Sequence, residues 1–350
     1  MELIQNYSKK KIIIVLLLIL SISLGLKLYT IDFTIPSHLD DARILSLTIS
    51  TITIFPMYVL ARKFFNEKYS IVAVSLFAFE PHLNFISGTA MEEPLLILVL
   101  ITSMILILND KAKYHYIAFI FAGFCWWVKL EALYPMIAII IIFFVVHRHK
   151  PNSLRNFLIS IVFLMITISP FLIQQDLRLN DPFYAWYDRT ILADDYTELL
   201  ISSDNAEVTD FVEKYGILGL MDKSANGLTN LFNVLFKILY PYLFILIPFG
   251  VLFSLRPIGQ KLKHIKANWI MILTLIGVLV IPFAIIDEER YLFPLLPFLI
   301  ILATIPIQRV VNYGLSTFSL NDRQKSIFLV IVVGVVLLLS IIFTVGETNY

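Results

Sequence analysis

Apolar residues run almost without interruption through 11–29, 42–61, 69–87, 93–109, 114–129, 132–147, 154–174, 230–254, 268–286, 290–307 and 326–345. Most of these runs are apolar all round, with no polar face at a helical or strand period, and a helix needs about 20 such residues to cross the hydrocarbon core of a bilayer. The pattern predicts an all-α fold: a polytopic transmembrane helical bundle of about 11 spans. The fifth and sixth runs are short and nearly fused around Lys129-Leu130-Glu131.

The charges between the runs set a direction. Lys and Arg favour cytoplasmic loops. Lys9, Lys10 and Lys11 precede the first run and place the N-terminus inside. Alternation then makes Arg62 to Lys68, Lys111 to Lys113, His147 to Arg155, Arg256 to Lys266 and Arg309 to Lys325 cytoplasmic, and all five are basic. The opposite segments, Asp32 to Asp41, Glu80 to Glu93, Asp176 to Asp222 and Asp287 to Glu289, are acidic. The first run has a basic start and an apolar core, but no clear small-residue cleavage site before Lys27, so a retained signal anchor is expected.

The runs group into an N-terminal membrane block over 1–174 and a C-terminal one over 230–350. The stretch 175–229 between them carries 11 Asp/Glu against 4 Lys/Arg and is expected as an external acidic loop. Composition agrees: 59% of residues are hydrophobic and 15% charged, where a soluble domain carries about 25% charged residues. A net charge of +1 gives no reason to expect a nucleic-acid partner. The single cysteine, Cys125, forms neither an internal disulfide nor a cysteine metal cluster.

Chemistry, on this topology, belongs to the outer face, where carboxylates collect at span ends. Converging carboxylates can hold a divalent cation, and one can act as a general base. Short external loops also carry acids simply because topology excludes Lys and Arg. Three clusters stand out. Asp40-Asp41-Ala42-Arg43 opens the second span, where the acids equally suit a helix N-terminus. Glu80-Pro81-His82 and Glu92-Glu93-Pro94 flank one short loop, where a capped loop is the plainer reading. Asp287-Glu288-Glu289-Arg290-Tyr291 places a guanidinium at the outer boundary, where it can clamp a lipid phosphate or pair with Glu289 or Asp287. Lys129 lies two residues from Glu131, which predicts an internal ion pair. Lys237 interrupts the eighth span and can snorkel to the interface or meet an anionic headgroup.

The stretch Tyr58-Val-Leu-Ala-Arg-Lys-Phe-Phe-Asn-Glu-Lys-Tyr-Ser, followed by Leu76-Phe-Ala-Phe-Glu-Pro and Glu92-Glu93-Pro94, resembles the early membrane region of the GT-C glycosyltransferases. It is most similar to the archaeal dolichyl-phosphate-mannose-protein mannosyltransferase type. Arg290-Tyr-Leu-Phe-Pro-Leu-Leu-Pro resembles that superfamily's late Arg-Tyr-x-x-Pro-x-x-Pro element, and Val128-Lys129-Leu130-Glu131 a basic-x-Glu element. The resemblance implies a GT-C-like fold and transfer of a sugar from a polyprenyl- or dolichyl-phosphate donor, usually with inversion, to a protein, glycan or lipid acceptor. It puts the family's catalytic acid on Asp40, with Asp41 its neighbour, and a metal, Mg²⁺ or Mn²⁺, on Asp40 and Glu93. The donor phosphate would meet Arg290, Lys237 and Tyr291, with Glu80, Glu92, Lys129 and Glu131 in support. The setting would be the plasma membrane of a prokaryote, with the active face outside. One departure stands out: the family carries a long first external loop, and here residues 30–41 alone join the first two spans.

Two other functions compete with sugar transfer. A catalytically silent scaffold of the same fold would account for the short first loop. A lipid-linked sugar transporter or flippase would need functional polar groups near mid-membrane and repeats, whereas here ionisable residues crowd one face and no internal repeat is evident.

Overall fold

The computed structural model describes residues 9–30, 40–89, 91–129, 132–179, 208–257, 260–318 and 320–347. Among them the secondary structure is helical, without strands. The helices are α1 (Lys9–Tyr29), α2 (Asp40–Ile52), α3 (Ile54–Phe64), α4 (Glu67–Ala78), α5 (Pro81–Ser87), α6 (Glu93–Ile107), α7 (Ala112–Val128), α8 (Tyr134–His147) and α9 (Ser153–Leu179). Then come α10 (Val208–Leu239), α11 (Leu243–Ser254), α12 (Leu262–Leu279), two 3₁₀ turns (Pro282–Ala284 and Glu289–Leu295), α13 (Leu296–Arg309) and α14 (Asp322–Glu347).

Every expected span falls on one or two of these helices. Among the described residues, six helical stretches are individually long and apolar enough to cross a membrane, and counting each bent pair as one span gives up to eight. Glu93–Ile107 and Tyr134–His147 are shorter apolar helices. Several expected spans are broken. The second divides at Thr53 into α2 and α3. The third bends by 54° between α4 and α5, where Pro81 withholds a backbone donor and Glu80 caps the start of α5. The eighth divides into the end of α10 and α11, around Tyr240-Pro241-Tyr242. Of the acidic stretch 175–229, residues 180–207 lie outside the described residues. Its end belongs to α10, which turns at Gly216; there φ of 68° is a left-handed conformation open to glycine at little cost.

The chain divides into two compact units. Unit 1 comprises 1–101, 240–265 and 296–350. Its axis is α13, buried from Leu296 to Gln308. Helix α11 packs on it closely because Gly250 has no side chain: a Cβ there would come within 2.4 Å of the Leu302 carbonyl oxygen. Polar ties lock one end of this unit. Tyr69 Oη donates to Asn312 Oδ1, and the Arg309 guanidinium donates to the Phe253 and Arg256 carbonyls.

Unit 2 comprises 102–239 and 266–295. Here α7 lies along α9, with Gly123 against Thr167 and the Trp127 indole N–H donating to the Thr167 carbonyl at 2.9 Å. Trp126 and Trp127 both meet Phe171, at 5.6 and 5.7 Å between ring centroids. Helix α10 seats Gly227 on the turn after α12, where a Cβ would lie 1.8 Å from the Val280 carbonyl oxygen. Asn230 fastens the contact by donating to the Phe283 carbonyl at 3.1 Å.

Candidate functional site

In unit 2, two of the cationic residues that the sequence singles out, Lys129 and Arg290, converge on one aromatic ring. Helix α7 ends at Lys129, whose backbone turns extended (φ −151°, ψ 128°) while its N–H still reaches the Cys125 carbonyl. The Lys129 side chain is buried, 8% exposed, and its ammonium stands 4.5 Å from the centroid of the Tyr291 ring. Tyr291 is fixed by the tight turn Glu289–Leu295, which buries Tyr291, Leu292, Phe293, Pro294 and Leu295. The same turn puts the Arg290 guanidinium 5.2 Å from that ring. Two cations thus lie against one phenol, whose quadrupole attracts both. Arg290 also forms an ion pair with Glu288. Of the three consecutive acids, the structure therefore pairs Glu288 with Arg290, where the sequence pointed to Glu289 or Asp287.

Lys237 stands apart from this group. It is exposed on α10, and among the described residues no hydrogen bond or ion pair joins it to Arg290 or Tyr291. Glu131, the expected partner of Lys129, lies outside the described residues.

In unit 1 the acids separate by environment. Asp41 is exposed in the first turn of α2, and the side chain of Asp40 lies outside the described residues. Glu80 is 1% exposed and fully engaged. Its Oε2 accepts from the Leu83 N–H at 2.6 Å, capping α5, and its Oε1 lies 3.0 Å from His82 Nδ1. Glu80 is thus the capped-loop alternative realised. His82 itself, buried beside Phe343 at 5.3 Å between ring centroids, had no signal in the sequence beyond its place after Glu-Pro. Glu92 is exposed before α6, and Glu93 is wholly buried in its first turn.

The expected metal finds limited support. Among the described residues, no three His, Cys, Asp or Glu side chains gather as a metal site. Glu80 is committed to its cap, and the side chain of Asp40 lies outside the described residues, so a metal carries no step of the proposed mechanism.

Residues 10–173, just under half of the chain, match the family model for dolichyl-phosphate-mannose-protein mannosyltransferase. No curated protein matches the sequence. The fold is similar to ArnT from Cupriavidus metallidurans bound to undecaprenyl phosphate, with a TM-score of 0.51 and 12% identity over 88% of this chain and 57% of that one. It is also similar to the Archaeoglobus fulgidus oligosaccharyltransferase in complex with Zn and sulfate, with a TM-score of 0.54 and 16% identity over 88% of this chain and 41% of that one. The chain thus spans little more than half the length of the first protein and about two fifths of the second. The fold is an all-helical membrane bundle like those of these two proteins, as the motifs implied. Within it, the family match falls on the dolichyl-phosphate-mannose-protein mannosyltransferase model and covers the stretch from α1 into α9.

Proposed function

We propose that this protein is a membrane glycosyltransferase that takes a sugar from a polyprenyl- or dolichyl-phosphate donor and passes it to an acceptor on the extracytoplasmic face. The family match to a mannosyltransferase model and the fold shared with ArnT support lipid-linked sugar transfer in general. The observation that carries the reading is local: Lys129 and Arg290 on the ring of Tyr291. A guanidinium and an ammonium held against one ring suit a donor phosphate. As the sugar leaves, charge builds on that phosphate, and fixed cations stabilise it most in the transition state. Arg290 supplies a planar fork of N–H donors to the phosphate oxygens and Lys129 a point charge. Tyr291 holds both in place. Lys237, exposed on its helix, is proposed to draw the anionic headgroup toward the protein.

Asp40 is proposed as the base that takes the acceptor hydroxyl proton, with Asp41 beside it. Attack of that oxygen on the anomeric carbon breaks the bond to the phosphate oxygen, releasing polyprenyl phosphate and inverting the centre. The basic loops Arg62 to Lys68 and Arg309 to Lys325 support an orientation with the acids on the extracytoplasmic side, and a prokaryotic plasma membrane is proposed as the setting.

Binding of undecaprenyl phosphate to the full chain in nanodiscs tests the phosphate grip. Each lost charge-assisted contact is worth about 1.5–3 kcal/mol, or roughly 10- to 100-fold in affinity. Arg290→Ala is expected to weaken binding by that range. Unchanged binding would remove Arg290 from the site.

A further inference from the structure

Two basic segments at one end of unit 1 are tied into a single surface. Helix α3 closes on Arg62 and Lys63, while Lys261 precedes α12 and Lys263 lies in its first turn. Between them stands His264, 3% exposed. Its Nδ1–H donates to the Lys63 carbonyl at 2.7 Å, and its ring meets Phe64 edge-on at 5.9 Å between centroids. The Gln260 carboxamide N–H donates to Gln308 Oε1 near the end of α13, which fixes the approach to α12. These bonds draw Lys63, Lys261 and Lys263 around one imidazole, on which all three charges act.

Residues 62–68 and 260–264 together carry five cations against one acid, Glu67. Glu67 lies 4.0 Å from Arg62, and both side chains are partly exposed, so solvent screens the pair and it neutralises little. Lys261 is exposed, and Lys63 and Lys263 are half-buried. The preference of Lys and Arg for cytoplasmic loops accounts for each basic segment by itself. It does not account for the bonds that hold the two together, because gathered like charges repel. A counter-anion at this surface relieves that cost.

The surroundings specify the anion. On α3, Phe55 and Val59 are exposed, at 42% and 45%, and share a helix face with Arg62 at i, i+4 and i+7. Leu262, 51% exposed, lies between the two lysines of the second segment. An apolar stripe thus runs along a stretch long and apolar enough to cross a membrane, Asp41–Phe64, and ends in cations. A phospholipid has the complementary order: acyl chains that lie against apolar side chains, then a phosphate at the boundary, where cations attract anionic headgroups. A soluble anion makes no use of the stripe. We propose that this end of unit 1 binds an anionic phospholipid of the leaflet it adjoins, with the phosphate among Arg62, Lys63, Lys261 and Lys263 and an acyl chain along Phe55 and Val59. None of these residues takes part in the proposed sugar transfer.

The test titrates the full chain in detergent with phosphatidylglycerol or phosphatidylcholine and counts bound lipid by native mass spectrometry. Each cation engaged near the surface is worth about 5-fold in favour of the anionic headgroup. Phosphatidylglycerol should therefore bind on the order of 10-fold more tightly or better, and the preference should shrink as ammonium acetate is raised. The triple variant Lys63→Gln, Lys261→Gln and Lys263→Gln should lose most of the preference and keep phosphatidylcholine binding. Should it not fold, Lys261→Gln alone, at an exposed position, should lower the preference by about 5-fold. A control triple in unit 2, Lys111→Gln, Lys113→Gln and Arg155→Gln, removes equal charge from exposed positions on the same predicted side of the membrane and should leave the preference as in wild type. Glycerol 3-phosphate, which has the charge without the chains, should not displace the lipid. Equal binding of the two lipids, or equal loss in the two triples, would overturn the proposal, and displacement by glycerol 3-phosphate would replace the lipid with a soluble anion. Arg290→Ala should keep the preference, so this surface and the donor site fail independently.

Discussion

The ammonium of Lys129 stands 4.5 Å from the centroid of the Tyr291 ring, although 162 positions separate the two in the chain. The extended break after α7 and the tight turn before α13 bring them together. The lysine at the end of α7 is thereby brought to the motif that holds Arg290.

That ring is expected to matter as a surface for cations more than as a phenol. Tyr291→Phe keeps the ring and should bind undecaprenyl phosphate within about 3-fold of wild type. Tyr291→Leu removes a cation–π contact worth about 0.5–2 kcal/mol and should weaken binding by roughly 3- to 30-fold. Titration of the two variants side by side checks the difference.

Glu288 competes with the donor phosphate for Arg290. Both side chains of this ion pair are 37% exposed, so solvent screens it and its worth is at most about 1 kcal/mol. Glu288→Gln should tighten binding of undecaprenyl phosphate by up to about 5-fold, most clearly at low ionic strength. Weaker binding in this variant would instead make Glu288 part of the support for the site.

Glu80 is expected to be a structural acid. Its carboxylate caps α5 through the Leu83 N–H and holds His82. Glu80→Ala leaves both groups buried without that partner and should cost about 1–3 kcal/mol of stability. Thermal unfolding of the purified variant measures this. Turnover per folded molecule should stay near wild type.

Two glycines hold helices at contact distance. Gly227→Ala drives a methyl into the Val280 carbonyl, and Gly250→Ala drives one into the Leu302 carbonyl. Backbone atoms cannot step aside, so each should cost about 1–3 kcal/mol or more, as overpacking does, and lower the yield of folded protein. Gly277, where a methyl would meet nothing within 4 Å, should accept alanine without loss. Size-exclusion profiles in detergent separate the three.

The helices were legible because hydrocarbon demands long, uniformly apolar runs, and every expected span is helical in the structure. The breaks were less so, although a proline stands near each: Pro81 and Pro241 at two of them, and Pro56 three residues past the break at Thr53, where it lacks the N–H that would reach back to Ile52. Candidate residues at motif positions, Arg290 and Tyr291, do meet, because a short turn fixes neighbours in sequence. Which of Asp287, Glu288 and Glu289 pairs with Arg290 depends on backbone angles that three consecutive acids do not encode. Lys27 closes the first apolar run, and nothing beside it in sequence marks it as buried. Its burial is set by α4 and α5, some fifty residues away, to which Ser23 and Thr30 bond at the Ala78 and Asn84 carbonyls.

The most direct test follows release of free polyprenyl phosphate from polyprenyl-phosphate-linked hexoses by the full chain in nanodiscs, with Arg290→Ala and Asp40→Ala alongside. Wild type is expected to release it, and each variant to do so about 100-fold more slowly or worse, the usual range for losing a transition-state charge contact or a general base. Well-folded wild type that releases none from any donor, or variants that match it, would contradict the account and favour a silent scaffold of the same fold.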